Sequence, residues 1–302
     1  MNKLENLVDT TEMWLGADEQ VISPEESYAR CLRMAGEHYE NFPVASRLLP
    51  RRMRHHVAAI YAFARVADDI ADEGSRSVDD RLQDLDRWEA RLDQAVAGEG
   101  TGPVFTALGE TIRTQSIPVH LLKDLLQAFR MDARGGGYET LDDLLEYCQL
   151  SANPVGRLVL HLFGYADQER ITLSDSICTG LQLVNFCQDV SIDVPRERIN
   201  IPRQVMSEFG YSQRELLSGI DNQNFRALLS YLNSLAEDFL VQGKRLPGMV
   251  PSFRLRLELR ATVYGGLRIA AKIREMEYGV LSARPALGKV DLLHTVWKTV
   301  FG

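Results

Sequence analysis

The sequence predicts an all-α protein. Apolar residues recur at intervals of three and four along nearly the whole chain, Leu, Ala, Arg and Glu are abundant, and long alternations of β-branched residues are absent. The spacing is that of amphipathic helices, whereas half-buried strands would alternate with a period of two. A chain of 302 residues that is 45% hydrophobic can bury a sizeable core, which excludes a disordered protein.

Turn residues and prolines divide the first half of the chain into helices. Ser23 is a suitable N-cap and Pro24 suits the first helical turn, while Gly74, Gly98 and the run from Arg134 to Gly137 supply helix ends. The expected helices run from Pro24 towards His38 and over residues 51–73, 78–97, 104–115 and 119–130.

The second half continues in the same way. Thr140 caps an expected helix that reaches Phe163, in which Pro154 removes one backbone hydrogen bond and produces a kink. Further helices are expected over residues 174–193, 222–242, 251–281 and 287–300.

Trp88 and Trp297 are expected to be packing residues inside the protein. No repeat or linker divides the chain, so we expect a single helical domain over residues 1–302, with the first 22 or so residues loosely attached.

Charge and cysteine content exclude several classes of protein. The chain has 34 Lys and Arg against 42 Asp and Glu, and a net charge of −8 argues against binding to nucleic acid through a basic surface. The four cysteines show no CxxC spacing and lie in apolar stretches, which predicts reduced core thiols. Neither a signal peptide nor a membrane-spanning stretch is recognisable. We therefore expect a cytoplasmic protein that contacts, at most, the inner face of the membrane.

A first acidic set lies near residue 70. Asp68 and Asp72 stand four residues apart, on one face of the expected helix, with Asp69 beside them. Tyr61 and Arg65 precede Asp68 by seven and three residues and share that face. A solvated acidic helix end is the simple alternative. Apolar flanks and the unfavourable helix dipole instead predict a buried set whose negative charge is compensated.

A second polar set follows the spacing of a helix through an otherwise apolar segment. Its members are Gln182, Asn185, Asp189 and Asp193. An ordinary amphipathic helix with its polar face outward is the alternative, but apolar residues occupy most other directions and leave only a narrow polar seam. A buried polar seam is costly unless it is satisfied, which predicts a specific ligand.

Two helices that carry such sets can face each other across a bundle and hold Mg²⁺, which prefers oxygen ligands and completes its shell with waters and substrate phosphates. The chemistry that suits this arrangement is ionisation of an allylic or cyclopropylcarbinyl diphosphate. A carboxylate-bridged di-iron centre would require Glu-x-x-His pairs, and the helices that carry the two sets contain none.

The stretch NFPVASRLLPRRMRHHVAAIYAFARVADDIADE (residues 41–73), together with LQLVNFCQDVSID and INIP, resembles the squalene/phytoene synthase family over roughly residues 38–284. The resemblance implies a helical isoprenoid synthase bundle with a central active-site cavity, head-to-head prenyl chemistry, and several Mg²⁺ ions that bridge to a substrate diphosphate. It assigns metal binding to Asp68, Asp69, Asp72, Asn185, Asp189 and Asp193, diphosphate binding to Arg65, Gln182 and Arg198, and positions near the reacting carbons to Tyr61 and Tyr147.

Departures from the family pattern favour one branch. The segment 38–43 lacks the usual serines, Gln188 replaces an Arg, and Asn200 stands where a Tyr is usual. Together with the SANPVG run at 151–156, these features resemble the bacterial hydroxysqualene synthase branch, which opens the cyclopropane of presqualene diphosphate and captures the cation with water. The branch implies a place in squalene and hopanoid biosynthesis, no nicotinamide, a lipid-like product, and association with other enzymes of the squalene pathway.

Asn153 is the expected water-positioning residue, because it adds a polar group beside the carbonyl that Pro154 leaves without a donor. The alternative is that Asn153 is simply a turn residue that precedes a proline.

Two other functions of the whole protein stay open. One is a different head-to-head synthase that makes presqualene diphosphate, dehydrosqualene, squalene or phytoene. The other is a noncatalytic helical assembly partner.

Overall fold

All regular structure in the described part of the chain is helical. The computed structural model describes residues 22–37, 49–72, 74 and 76–301, and these residues form helices and connecting turns without a strand. The predicted all-α class is therefore confirmed. Numbered over the described residues, the α-helices are α1 (Pro24–Glu37), α2 (Arg51–Asp72), α3 (Val78–Val96), α4 (Gly102–Gln115), α5 (Val119–Arg134), α6 (Leu141–Ser151), α7 (Asn153–Phe163), α8 (Gln168–Gln188), α9 (Val190–Asp193), α10 (Arg203–Glu208), α11 (Gln213–Leu217), α12 (Gln223–Gly243), α13 (Leu246–Met249), α14 (Phe253–Glu275) and α15 (Lys289–Phe301).

Side-chain caps determine where several helices begin. Thr140 and Asp143 form a reciprocal capping box at the start of α6. At α8 the Asp167 side chain accepts a hydrogen bond from the Arg170 amide, so the helix begins at Gln168. The predicted start of this helix, Ser174, was therefore wrong by six residues, because the sequence reading missed this cap.

Two expected continuous helices are broken in the structure. The segment from Thr140 to Phe163 forms α6 and α7, with a turn at Ala152 between them. Pro154 then occupies the second position of α7, where a missing N–H costs no helical hydrogen bond. The segment that ends at Asp193 is interrupted at Asp189, whose φ of −95° and ψ of 6° end α8.

The helices fall into two compact units. One unit comprises the described residues up to Arg134 together with Leu158–Tyr165. Its core is aromatic: the Trp88 and Phe105 rings lie edge to face with centroids 4.4 Å apart, and the indole N–H of Trp88 donates to the Phe63 carbonyl at 3.3 Å. Trp88 is fully buried, as predicted. This packing fixes α2, which carries the first acidic set, against α3 and α4.

The other unit comprises Gly135–Arg157 and the residues from Ala166 onward. Its central contact is α8 against α12, where glycines allow the backbones to approach closely. A Cβ added at Gly180 would lie 2.8 Å from Leu240 Cγ and 3.0 Å from the Ala236 carbonyl oxygen. A Cβ added at Gly243 would lie 2.9 Å from the Leu173 carbonyl oxygen. This packing holds α8, and with it the second acidic set.

The cysteines behave as predicted. All four are free thiols, and burial raises the pKa of each, Cys31, Cys148, Cys178 and Cys187, to about 12. In the described ranges, no helix has the length and apolar content needed to cross a bilayer.

Trp297 contradicts the sequence prediction, since 54% of it is exposed. The sequence of α15 offers two faces, and a polar contact decides between them. Asp291 is buried on the side that meets α14, where it pairs with Arg268 and Lys272.

Some sequence predictions fall outside the described residues. These are the loosely attached residues 1–21, the end of the first helix at His38, the entry segment 38–43, and Glu73.

The contact between α8 and α12 can be tested with glycine variants. Gly180→Ala should lower the free energy of unfolding by about 1–3 kcal/mol, because the added methyl group would collide with α12. Gly265→Ala is the matched control: it lies inside α14 with nothing within 4 Å of the added Cβ, so it should be neutral or stabilising by up to about 1 kcal/mol. Urea denaturation followed by circular dichroism measures both. Equal effects in the two variants would contradict the proposed close packing.

Candidate active site

The first acidic set surrounds Arg65 on α2. Arg65 Nη1 lies 3.4 Å from Asp68 Oδ2, and Nη2 lies 2.5 Å from Asp69 Oδ1. The Asp69 side chain is 19% exposed and that of Asp68 is 41% exposed, so the set is half-buried. The guanidinium thus supplies the compensating charge that the sequence called for, although the set is half-buried and not fully buried as expected.

A second arginine stabilises the end of the same helix. Arg81, on α3, donates from Nη1 to the Ala71 carbonyl and from Nη2 to the Gly74 carbonyl, both at 2.9 Å. A cation at these carbonyls interacts favourably with the negative, C-terminal end of the helix dipole. It therefore offsets the unfavourable placement of Asp68, Asp69 and Asp72 at a helix C-terminus.

Tyr61 lies close enough to the first acidic set for its charges to influence the pKa of the phenol. Burial raises its pKa, Arg65 opposes that shift, and the carboxylates of Asp69 and Asp68 add to it. Tyr61 is therefore a neutral phenol near pH 7, able to donate a hydrogen bond.

The second acidic set lies where α8 ends. The Asp189 amide still donates to the Asn185 carbonyl at 2.9 Å, and the Asp193 amide donates to the Asp189 carbonyl at 2.9 Å. The break at Asp189 thus leaves the set connected by backbone hydrogen bonds. Asn185 is exposed, whereas Gln182, Asp189 and Asp193 are half-buried.

Arg284 is a site residue that sequence reasoning missed. Its Nε donates to Asp189 Oδ1, and its Nη2 lies 3.4 Å from Asp189 Oδ2. The buried Gln188 side chain donates to the carbonyl of Pro285 at 2.6 Å. Gln188, the last residue of α8, and Asp189, which follows it, therefore bind two adjacent residues of the segment after α14. The two partners are about 95 residues apart in sequence, so no local pattern could reveal them.

Asn200 forms a hydrogen bond with Asp193, the other carboxylate of the second acidic set. Its Nδ2 donates to Asp193 Oδ2 at 2.9 Å. Burial raises the pKa of Asp193, and the charge of Asp189 raises it further, while the Asn200 hydrogen bond and the Arg198 and Arg196 cations oppose these effects. Arg198 is exposed, and its amide donates to the Asp193 carbonyl at 3.0 Å.

Tyr147 belongs to an aromatic group. Its ring centroid lies 5.5 Å from that of Tyr138 and 6.2 Å from that of Phe186. Phe186 follows Asn185 on α8, which links this group to the second acidic set. A small pocket adjoins Phe186 and is otherwise lined by Leu144, Leu183, Cys187, Asn200, Ile201, Leu229 and Leu232. Tyr138 was also missed from the sequence, because it stands alone after a glycine turn.

Asn153 is buried at the break between α6 and α7. The residue is 3% exposed, and its Oδ1 accepts a hydrogen bond of 3.0 Å from the Thr179 hydroxyl on α8. This contact fixes the orientation of the amide, with Nδ2 as the donor group. Asn153 thus precedes Pro154 directly after a turn, as the simple alternative expects, and it is also buried and hydrogen-bonded to Thr179.

The acidic sets offer side-chain donors that suit a metal ion arriving with an anion. Nowhere in the described ranges do three His, Cys, Asp or Glu side chains converge as a metal site. The acidic sets offer carboxylate oxygens and the Asn185 amide, which are hard donors. Mg²⁺ is commonly held by one or two carboxylates and completed by waters and phosphate oxygens. The donors present therefore fit Mg²⁺ that arrives with a diphosphate.

Comparison with known proteins gives a consistent result. A family model described as squalene/phytoene synthase matches residues 35–291. A hydroxysqualene synthase of Sinorhizobium fredii is 35% identical over 256 residues, covering 84% of this chain and 85% of that protein. A hydroxysqualene synthase of Rhodopseudomonas palustris is 37% identical over 225 residues, covering 73% and 74%. The crystal structure of squalene synthase HpnC from Alicyclobacillus acidocaldarius is 38% identical, with a TM-score of 0.80, and covers 87% of this chain and 98% of that one.

The contact of Gln188 with Pro285 should stabilise the pairing of Asp189 with Arg284. Gln188→Leu should lower the free energy of unfolding by about 1–3 kcal/mol, because it leaves a buried carbonyl without its donor. Combined with Arg284→Gln, the loss should be non-additive by more than about 0.5 kcal/mol, since both contacts hold one segment.

Gln204→Leu is the matched control, because Gln204 makes its hydrogen bond to Glu208 on an exposed surface. It should change stability by less than about 0.5 kcal/mol in urea denaturation. Additive effects of Gln188→Leu and Arg284→Gln would show that the two contacts act independently.

Proposed function

We propose that this chain, which belongs to the squalene/phytoene synthase family, is a hydroxysqualene synthase. It would convert presqualene diphosphate and water to hydroxysqualene and diphosphate, within squalene and hopanoid biosynthesis. The observation that carries the proposal is the similarity to two relatives of that name over most of the chain. The buried Asn153, held by Thr179, supports it because the reaction needs a polar group that can position water.

Arginine and glutamine side chains are proposed to bind the diphosphate. The planar fork of Arg65 already pairs with carboxylates and matches phosphate oxygens equally well. Arg198 is exposed beside Asp193, and Gln182 lies on α8 one turn before Asn185. These groups would orient the leaving diphosphate and stabilise the charge that it gains.

The two acidic sets are proposed to hold Mg²⁺, with Asp68, Asp69 and Asp72 in one set and Asn185, Asp189 and Asp193 in the other. Bound Mg²⁺ would neutralise the diphosphate as the carbon–oxygen bond breaks. Arg65, Arg284 and Asn200 keep the carboxylates in place before substrate arrives.

Aromatic side chains are proposed to stabilise the carbocation. When the carbon–oxygen bond breaks, its electron pair leaves with the diphosphate and the substrate becomes a cyclopropylcarbinyl cation that rearranges as the ring opens. Tyr138, Tyr147 and Phe186 offer ring faces that attract a cation and exclude bulk water. Tyr61 would lie near the reacting carbons of the substrate as a neutral phenol.

Water capture completes the reaction. Because Thr179 occupies Asn153 Oδ1, the amide would hold a water oxygen through its Nδ2 donors. That oxygen forms the new bond to carbon and loses a proton to the released diphosphate or to solvent. No hydride is transferred, so no nicotinamide is needed. The alcohol product is a lipid, which is consistent with contact at a membrane surface and with association with other enzymes of the squalene pathway.

Replacing single carboxylates tests the metal role. Asp68→Asn, Asp72→Asn, Asp189→Asn and Asp193→Asn should each reduce kcat by about 100-fold or more, because each removes a hard charged ligand. The free energy of unfolding should change by less than about 1 kcal/mol, since half-exposed ion pairs contribute little. Asp238→Asn, at an exposed position of α12, is the control and should retain full activity. Turnover that survives both EDTA and all four substitutions would exclude a metal-dependent mechanism.

Product analysis tests the reaction itself. Incubation with presqualene diphosphate and Mg²⁺, in water labelled with heavy oxygen and without a reductant, should give one labelled alcohol and diphosphate. The label is expected because a cation without a hydride donor is captured by the water beside it. Mass spectrometry of the extracted product measures the outcome.

An unlabelled hydrocarbon as the sole product would contradict the proposal. So would efficient use of farnesyl diphosphate without any action on presqualene diphosphate. Asn153→Leu should preserve diphosphate release but shift the product from alcohol to elimination products, because the cation forms without a positioned water. Thr179→Val is the companion variant and should cause a smaller shift in the same direction, since Asn153 remains but is oriented less firmly.

A further inference from the structure

The outward face of α15 carries exposed apolar side chains. Val290, Leu293 and Trp297 follow one another at intervals of three and four and are 78%, 71% and 54% exposed. Leu292 and Val296 flank this row and are 51% and 60% exposed. A contiguous apolar surface of this kind on a helix is typical of an interaction site.

The opposite side of α15 is anchored to α14 by polar contacts. Arg268 Nη2 and Lys272 Nζ lie 2.5 Å and 3.1 Å from the Asp291 carboxylate. The hydrogen bond from the Gly288 amide is the main cause that lowers the pKa of Asp291 to about 2, and the two cations add to it. Near the other end of the helix, Arg260 Nη1 donates to the Thr299 carbonyl at 3.4 Å. Asp291 and Thr299 therefore fix the helix orientation, which leaves the apolar row outward.

The charge around this face is positive. Asp291 is the sole carboxylate of α15, and it is buried and paired. Lys289 and Lys298 lie at the two ends of the apolar row, and Lys298 Nζ lies 5.3 Å from the centroid of the Trp297 ring. Residues 253–301 contain nine Lys and Arg against four Asp and Glu. Four of these cations pair with carboxylates away from the apolar row: Arg268 and Lys272 with Asp291, Arg274 with Glu237, and Arg284 with Asp189. Lys289 and Lys298 are therefore the cations that α15 itself places beside the row.

We propose that the outward face of α15 docks on the surface of an anionic phospholipid bilayer. Its apolar row would enter the boundary between headgroups and acyl chains, while Lys289 and Lys298 contact lipid phosphates. Trp297 with Lys298 above its ring suits that boundary, because one side of the pair is apolar and the other is charged. The inference deepens the proposed function, since a water-insoluble alcohol released near the bilayer would pass directly into it.

Vesicle flotation tests the docking face. The whole chain should float with vesicles that contain phosphatidylglycerol and phosphatidylcholine, and only weakly with phosphatidylcholine alone. Leu293→Gln combined with Trp297→Gln should weaken binding by about tenfold or more, because less apolar area enters the bilayer. Lys289→Gln and Lys298→Gln should each weaken binding to the anionic vesicles by about fivefold. Ile220→Gln combined with Val241→Gln is the matched control, since both side chains are exposed apolar residues outside α15, and it should bind like the wild type.

Several outcomes would overturn the inference. One is a wild-type chain that does not float, and another is an α15 double variant, folded by circular dichroism, that floats unchanged. A wild-type dimer that becomes monomeric in the double variant, without flotation of either, would assign the face to a second copy of the chain. Turnover of detergent-dispersed presqualene diphosphate separates the two proposals. Flotation without turnover contradicts the enzyme assignment alone, and turnover without flotation contradicts the membrane face alone.

Discussion

Carboxylates placed four residues apart on a half-buried helix face repel one another. In both acidic sets, neighbouring cations and hydrogen-bond donors offset that repulsion. On α2, Arg65 meets Asp68 and Asp69, and Arg81 binds the carbonyls at the helix end. At the end of α8, Arg284 pairs with Asp189 and Asn200 donates to Asp193. Each set is therefore compensated within its own unit before any ligand binds.

The compensation of the second set depends on the packing of its unit. Gly180 and Gly243 let α8 approach α12, and Gly266 of α14 lies beside Leu240 of α12. The segment that carries Arg284 follows α14, and Gln188 holds it by the Pro285 carbonyl. Helix contacts well away from the carboxylates thus decide whether a cation stands beside Asp189. Because Gln188 and Asp189 both contact this segment, we expect its stability and the charge balance at Asp189 to be coupled.

The sequence predicted what is local and missed what is assembled by tertiary contacts. Helical periodicity identified α2 and α12 almost to the residue, and the four-residue spacing identified the carboxylates, because both signals repeat within a few turns. The break at Asp189 was missed, since the apolar pattern continues through it. Arg284 pairs with Asp189, 95 residues away in sequence, so its role appears only when the end of α8 and the segment after α14 are placed in one fold. Trp297 was misjudged for the same reason: Asp291, paired with two cations on α14, selects which face of α15 is buried.

Under the proposed function, the partners that compensate the carboxylates also prepare the site for its ligands. A guanidinium that binds a carboxylate has the same fork geometry that binds a phosphate, so a cation such as Arg65 or Arg284 can change partner without changing its own charge. Divalent metal bound with a diphosphate would supply the carboxylates with a second cation and the arginines with an anion. Opposite charges would then enter the site together, which would lower the electrostatic cost of burying either one alone. Lysine would serve less well at these positions, because a point charge cannot keep two oxygens of either partner in register.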